Sequence, residues 1–199
     1  MKRFLLAMSL LLGALLWFGR SASPPAHAAS VRTKFSAVAD TFVSQANPNA
    51  NYGSRPILRI DAVPIVNTFL QFDIEGMTTP ITHAWLRLYA THSSSEGYTV
   101  YAVQDNSWDE STVTYDSAPI IGEELGISGP FEADTWTRVD VTAAIVGNGM
   151  YSFAIRAADA DSLTFPSSNA PMNSPKLVLW TEAPTPTPTL TPPTPETEA

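Results

Sequence analysis

Three arginines share one local pattern, in which each is flanked on both sides by apolar residues. The triplets are Leu58-Arg59-Ile60, Leu86-Arg87-Leu88 and Ile155-Arg156-Ala157. Trp85 and Tyr89 lie two residues before and after Arg87. A guanidinium group holds a carboxylate through two parallel hydrogen bonds, and an aromatic ring covers the apolar face of a sugar. We predict a ligand site for an anionic sugar from five residues: Arg59, Trp85, Arg87, Tyr89 and Arg156.

This ligand site depends on strand order, because the five residues must share one face of a sheet. An alternative is that the arginines are ordinary exposed residues that pair with acidic neighbours such as Asp61, Asp73 or Asp140.

Oxygen-bearing side chains cluster in a second region, around Asp40, Asn49 and Asn51. Carboxylate and amide oxygens are the ligands that Ca²⁺ takes in proteins. We therefore predict a structural calcium site at these residues. The alternative is that these side chains cap their own backbone, as is common in loops rich in Asp and Asn.

Catalytic motifs are lacking. Asp109 and Glu110 are adjacent, whereas a glycosidase needs two carboxyl groups about 5 to 9.5 Å apart across the sugar. We expect them to shape a turn beside Trp108. No Gly-x-Ser-x-Gly, His-Glu-x-x-His or phosphate-binding loop occurs. The sequence predicts no enzymatic activity and no catalytic residue.

Charge and cysteine content exclude further classes. The 199 residues include 11 Lys and Arg, 19 Asp and Glu and no Cys, for a net charge of −8. A nucleic-acid-binding protein would need a basic stripe, and disulfides or thiolate chemistry need cysteine. Between residues 31 and 181 there are 8 basic and 16 acidic residues. An acidic domain suits a neutral glycan as its ligand. An anionic glycan could bind only at a local patch of arginines.

Hydrophobicity alternates with period two along the central segment, which is typical of half-buried strands. Turn residues separate the candidates, and no long helix is predicted. The expected fold is all-β, an antiparallel two-sheet β-sandwich of the jelly-roll type. The predicted strands cover residues 35–43, 57–62, 66–74, 83–91, 98–104, 112–115, 135–142, 151–156, 163–165 and 176–180.

The two ends differ in composition from this domain, which we place at residues 30–182. Lys2 and Arg3 precede an apolar run that ends before small residues, a pattern that predicts a signal peptide at 1–28 and a secreted, extracellular protein. Residues 183–199 are rich in Pro and Thr, which predicts a disordered tail or linker. This tail could attach the domain to a cell surface or a partner domain, and we expect a monomer.

A set of motifs resembles the secreted DNRLRE (disaggregatase-related) domains, which are similar to family-96 carbohydrate-binding modules. In chain order the motifs are Ala39-Asp40-Thr41-Phe42-Val43, Asn51-Tyr52-Gly53, Leu58-Arg59-Ile60, Leu70-Gln71-Phe72-Asp73-Ile74, Ala84-Trp85-Leu86-Arg87-Leu88-Tyr89, Trp108-Asp109-Glu110-Ser111-Thr112-Val113-Thr114-Tyr115, Ala118-Pro119, Trp136, Asp140-Val141-Thr142, Gly149, Tyr151-Ser152-Phe153, Phe165, Ser167 and Pro175-Lys176-Leu177-Val178-Leu179. The resemblance implies a β-sandwich module that binds polysaccharide, in some relatives an acidic one such as alginate.

One motif departs from the family pattern. The family commonly has a Ser followed by an Arg-Glu or Lys-Glu pair near the C-terminus, where this chain reads Ser167-Ser168-Asn169-Ala170. Our sequence-based hypothesis is a secreted non-catalytic module that binds a polysaccharide. The alternative is a structural or adhesion spacer of the cell surface without a soluble ligand.

Overall fold

A computed structural model describes residues 30–159 and 162–183, and within them every long element is a β-strand. The predicted signal peptide lies outside the described residues, as does the tail from residue 184 onward. No helix of the described part has the length and hydropathy to span a membrane. The strands are β1 (Ser30–Ser36), β2 (Ala39–Ser44), β3 (Ile57–Ala62), β4 (Ile65–Ile74), β5 (Ile81–Arg87), β6 (Tyr89–Ala90), β7 (Tyr98–Val103), β8 (Ile121–Ile127), β9 (Thr135–Trp136), β10 (Val139–Asp140), β11 (Gly149–Ala157), β12 (Leu163–Pro166) and β13 (Lys176–Glu182).

The strands form two main antiparallel sheets. One is four-stranded, in the order β1-β13-β5-β10. The other is seven-stranded, in the order β12-β3-β4-β11-β7-β8, with β2 also paired to β4. Strands β6 and β9 form a separate short pair. The predicted all-β sandwich of jelly-roll type is confirmed.

The main core lies between the two sheets and follows the predicted alternation. Leu70, Phe72 and Ile74 of β4 are fully buried there, together with Leu86 of β5 and Phe153 of β11. Because successive side chains of a strand point to opposite faces, His83, Trp85 and Arg87 of β5 point away from this core. The four-stranded sheet therefore has one face on the core and one in solvent.

The seven-stranded sheet differs, because its outer face is partly covered as well. Phe69 was predicted to face water, yet it is 1% exposed and packs in a second cluster with Val43 and Val103. Trp108 and Tyr115, from the segment that connects β7 to β8, pack over this cluster. The alternation within β4 predicted the strand correctly. It did not predict that the outer face of β4 is buried, since the segment that buries it is distant in sequence.

Two errors in the strand prediction fall in this connecting segment and in the strand that follows it; in addition, the predicted strands 35–43, 83–91 and 135–142 are each divided into two. Residues 112–115 are not a strand: Thr112 and Val113 donate backbone hydrogen bonds to the carbonyl of Asp109 in a turn. Conversely, β8 (Ile121–Ile127) was not predicted. It contains Gly122, Glu123, Glu124 and Gly126, which weaken the alternating pattern, and it lies at the edge of its sheet.

Candidate functional site

The outer face of the four-stranded sheet brings together most of the basic residues of the domain. Strand register places Arg32 opposite Trp180, Lys34 opposite Val178, and Lys176 opposite Arg87. Arg138 lies over the ring of Trp85, just before β10. We call this surface the basic face and define it by eight residues: Arg32, Lys34, Trp85, Arg87, Trp136, Arg138, Lys176 and Trp180.

Arginines lie over the indole rings of the basic face. The guanidinium carbon of Arg138 is 4.2 Å from the ring centroid of Trp85. The corresponding distances are 5.9 Å from Arg32 to Trp180 and 5.2 Å from Arg87 to Trp136. Trp85 and Trp180 pack against each other with their centroids 4.5 Å apart. Such cation–π contacts hold the planar guanidinium groups in place while their edges remain available for hydrogen bonds.

No residue of the basic face has a salt-bridge partner among the described residues. Within the described residues the one salt bridge joins Arg59 to Asp61, elsewhere in the molecule. Asp140 lies opposite Trp85, but its carboxylate accepts hydrogen bonds from the N–H and hydroxyl of Thr142 at 2.9 and 2.6 Å. Burial and the charges of Arg32 and Arg138 lower the pKa of Arg87. Five of the eight basic residues between 31 and 181 thus concentrate on one face of an acidic domain.

A small pocket of about 150 Å³ opens on the basic face, lined by Lys34, Arg87, Trp136, Lys176 and Val178. The ammonium group of Lys176 donates to the hydroxyls of Ser36 and Ser174 at 2.9 and 2.8 Å, which fixes its position. Three cations and no carboxylate line this pocket. The arrangement suits a carboxylate group.

The structure divides the five predicted ligand residues between different surfaces. Trp85 and Arg87 lie on the basic face, and Tyr89 packs edge-to-face on Trp136 with a centroid distance of 5.6 Å. Arg59 and Arg156 belong to the seven-stranded sheet, so they do not join this patch. Arg59 donates to Asp61 at 3.0 Å, which is the pairing that the alternative interpretation expected.

Sequence reasoning missed several residues of the basic face. Arg32 and Lys34 were missed because the first strand was predicted to begin at residue 35, whereas it begins at Ser30. Lys176 and Trp180 occupy the outward positions of a correctly predicted strand, so alternation could have found them. Only the strand order, which alternation does not report, places them beside Arg87.

The predicted calcium ligands have protein partners. The carboxylate of Asp40 accepts hydrogen bonds from the N–H and hydroxyl of Ser168 at 2.6 and 3.1 Å. The side-chain amide of Asn51 donates to the carbonyls of Glu110 and Val113 at 2.7 and 2.8 Å. Asn49 is exposed. Within the described residues no group of three or more acidic or histidine side chains is placed to hold a metal ion.

The calcium site therefore stays a prediction, with a direct test. If the hydrogen bonds of Asp40 and Asn51 alone hold these loops, EDTA should leave the melting temperature unchanged within about 1 °C. A fall of several degrees that added calcium reverses would instead establish a structural metal.

Asp40 predicts an unusual pH dependence of stability. Burial raises the pKa of its carboxyl to about 6, against the lowering effect of the Ser168 hydrogen bonds and with a smaller raising effect from Glu110. The unfolded chain releases this proton near pH 4, whereas the folded protein retains it up to about pH 6. The free energy of unfolding should therefore fall as pH rises from 4 to 6.5, by at most about 3 kcal/mol at roughly 1.4 kcal/mol per pKa unit.

Urea unfolding at several pH values checks this, with Asp40→Asn as the comparison. The variant should lose the slope; an equal slope in both proteins would show that another group causes it. Hydrogen bonds from Ser107 and Ser111 lower the pKa values of Asp105 and Asp109. Below pH 4 these two groups make the free energy of unfolding rise with pH, so the measurements stay above pH 4.

The adjacent carboxylates Asp109 and Glu110 have separate structural contacts. Asp109 accepts hydrogen bonds from the N–H and hydroxyl of Ser111, both at 2.7 Å. The carboxylate of Glu110 accepts from the N–H of Asp40 at 2.8 Å. Trp108 packs on Phe69 and donates to Ser152 at 3.0 Å. The contacts of Asp109 fit its predicted turn-shaping role, whereas the carboxylate of Glu110 instead connects this turn to β2.

Comparisons with known proteins point to carbohydrate binding. The model of carbohydrate-binding module family 96 matches residues 31–181. A protein named gellan lyase, from a Bacillus species, is 26% identical over 117 residues. That alignment covers 53% of this chain but 5% of the lyase, so the chain spans a small part of the length of this relative.

Proposed function

The chain belongs to carbohydrate-binding module family 96, and we propose that it is a secreted, non-catalytic module that attaches to an anionic polysaccharide through the basic face. Membership of the family implies a polysaccharide ligand and points to a binding module. The observation that carries the finer proposal is the cluster of Arg32, Lys34, Arg87, Arg138 and Lys176 without a salt bridge among the described residues.

The arginine–indole contacts favour an anionic ligand over a neutral one. A neutral sugar binds to an aromatic ring through its C–H face. On the basic face, the rings of Trp85, Trp136 and Trp180 each carry a guanidinium group 4.2 to 5.9 Å from the centroid. The groups presented to solvent are then hydrogen-bond donors with positive charge, which match carboxylates of a polymer.

The position of the chain ends supports a role for the tail as a tether. Ser30 is paired with Glu182, so both ends of the described domain lie at one end of the same strand pair. In this proposal residues 1–28 direct secretion, residues 30–182 form the binding domain, and residues 183–199 link it to a cell surface or partner domain. The relative named gellan lyase makes gellan one polymer to test.

Affinity electrophoresis of the secreted protein tests the proposal. We expect strong retardation in gels that contain alginate, gellan or de-esterified pectin, and much weaker retardation in gels with xylan or β-glucan. Retardation should weaken as salt rises, since salt screens exposed charges. Binding to the neutral polymers alone would contradict the proposal. Absence of retardation in every gel would favour a structural or adhesion spacer.

A further inference from the structure

A second concave surface lies on the other side of the molecule, on the outer face of the seven-stranded sheet. It is a groove of about 340 Å³ between the sheet and the segment that connects β7 to β8. Its lining includes Asn67, Phe69, Tyr101, Tyr115, Pro119 and Arg156. None of the residues of the basic face contributes to it.

Polar groups in this groove lack protein partners. Asn67 is 7% exposed and belongs to the groove lining, yet its side-chain amide makes no hydrogen bond within the described residues. The hydroxyls of Tyr101 and Tyr115 likewise have none there. Among the described residues no fully buried side-chain nitrogen or oxygen is left unsatisfied, so solvent reaches the Asn67 amide through the groove. A buried amide that is open only to a groove is a ready hydrogen-bonding site for a ligand.

Arg156 adds a cation at the edge of the groove. Its guanidinium carbon lies 5.6 Å from the ring centroid of Tyr101, and it has no salt bridge within the described residues. The contact with Tyr101 orients the donors of Arg156 beside the phenol.

Together these groups match a sugar ring. Sugar hydroxyls both donate and accept hydrogen bonds, and an amide and two phenols do the same. The basic face offers cations that only donate, whereas this groove has one cation beside three side chains that also accept hydrogen bonds. Pro119 and the partly exposed rings of Tyr101 and Tyr115 offer apolar surface for C–H groups. We propose that the groove is a second ligand site, which binds one pyranose residue of a neutral saccharide.

The two sites have different chemistry and lie on opposite sheets, so this proposal does not depend on the basic face. A module with both sites could hold two polysaccharide segments at once, which raises the overall affinity for a mixed polymer.

Nuclear magnetic resonance of the ¹⁵N-labelled full chain tests the groove. Glucose, galactose, mannose and rhamnose are titrated separately, with glucuronate as the anionic comparison. The Asn67 side-chain amide is assigned by its loss in Asn67→Ser. At least one sugar should shift this amide. Tyr101→Phe and Tyr115→Phe each remove one hydroxyl from the groove. Each should weaken the affinity for that sugar about 5- to 10-fold, as expected for the loss of one hydrogen bond. Arg87→Ala should leave the shift unchanged.

Two outcomes would overturn the proposal. One is that none of the four sugars shifts the Asn67 amide. The other is that only glucuronate does so, which would make the groove an anion site. Because the Tyr→Phe variants keep the ring and its packing, the affinity loss that they report does not depend on whether Asn67→Ser folds; if it does not fold, the Asn67 amide is assigned by triple-resonance experiments on the wild type.

Discussion

Arg87→Ala combined with Lys176→Ala should weaken binding of an anionic oligosaccharide by at least about 100-fold. The two side chains line the pocket with Lys34 and Trp136, where the register places them directly opposite each other. A hydrogen bond to a charged group contributes about 1.5 to 3 kcal/mol, and the double variant removes at least two such donors. Titration by tryptophan fluorescence measures the loss, because Trp136 lies 5.2 Å from the Arg87 guanidinium and should report on a ligand there.

A matched double variant separates position from net charge. Arg55→Ala with Arg59→Ala also removes two positive charges, but from outside the basic face; Arg55 is exposed and Arg59 is paired with Asp61. Its affinity should stay within about 2-fold of the wild type. Equal losses in both double variants would mean that only net charge matters. An unchanged affinity in Arg87→Ala/Lys176→Ala would exclude the pocket as the ligand site.

Gly53→Ala should destabilise the domain by about 3 kcal/mol, at the upper end of the cost of overpacking. A Cβ at Gly53 would overlap the backbone carbonyl of Glu110, which cannot rotate away. The same carbonyl accepts a hydrogen bond from Asn51, and the Gly53 carbonyl accepts one from Asn169 at 2.9 Å. A methyl group here would therefore disturb the contacts among three segments: the loop at residues 51–53, the turn that contains Glu110 and the loop that contains Asn169. For a domain of this size the melting temperature should fall by about 10 °C, as thermal unfolding can measure.

Gly76→Ala is the control for this prediction. Gly76 has a φ of +75° and no atom within 4 Å of an added Cβ, so alanine there meets conformational strain without a clash. It should cost about 1 to 2 kcal/mol. If Gly53→Ala costs no more than Gly76→Ala, the close approach to Glu110 does not hold the loops together.

The stability prediction also explains a motif that the sequence left open. Asn51-Tyr52-Gly53 is one of the motifs of the family resemblance, and Asn51 is also one of the three predicted calcium ligands. In the structure Asn51 binds two carbonyls, the Tyr52 ring stacks on Phe42 with centroids 4.3 Å apart, and Gly53 permits the approach of Glu110. Every partner except Phe42 is more than fifty residues away. Local spacing could indicate that these residues matter, but not that their role is to join distant loops.

The fold was more predictable than the site for a related physical reason. Period-two alternation reports which side chains of one strand share a face, and so Trp85 and Arg87 were correctly placed together. Alternation carries no information on which strands are neighbours. Arg156 has the same local pattern as Arg87, yet β11 lies in the other sheet. Arg138 lies inside the predicted strand 135–142, which the structure divides into β9 and β10, and its place over Trp85 likewise depends on which strands are neighbours.

The central claim is that the basic face binds the carboxylates of a polysaccharide. Pectin tests it most directly, since methyl esterification neutralises the carboxylates and leaves the backbone unchanged. We predict that affinity electrophoresis at low salt will retard the protein much more strongly in de-esterified pectin than in fully methyl-esterified pectin. Equal retardation in both gels would contradict the claim, because binding would then not depend on the carboxylates that the basic face is proposed to hold.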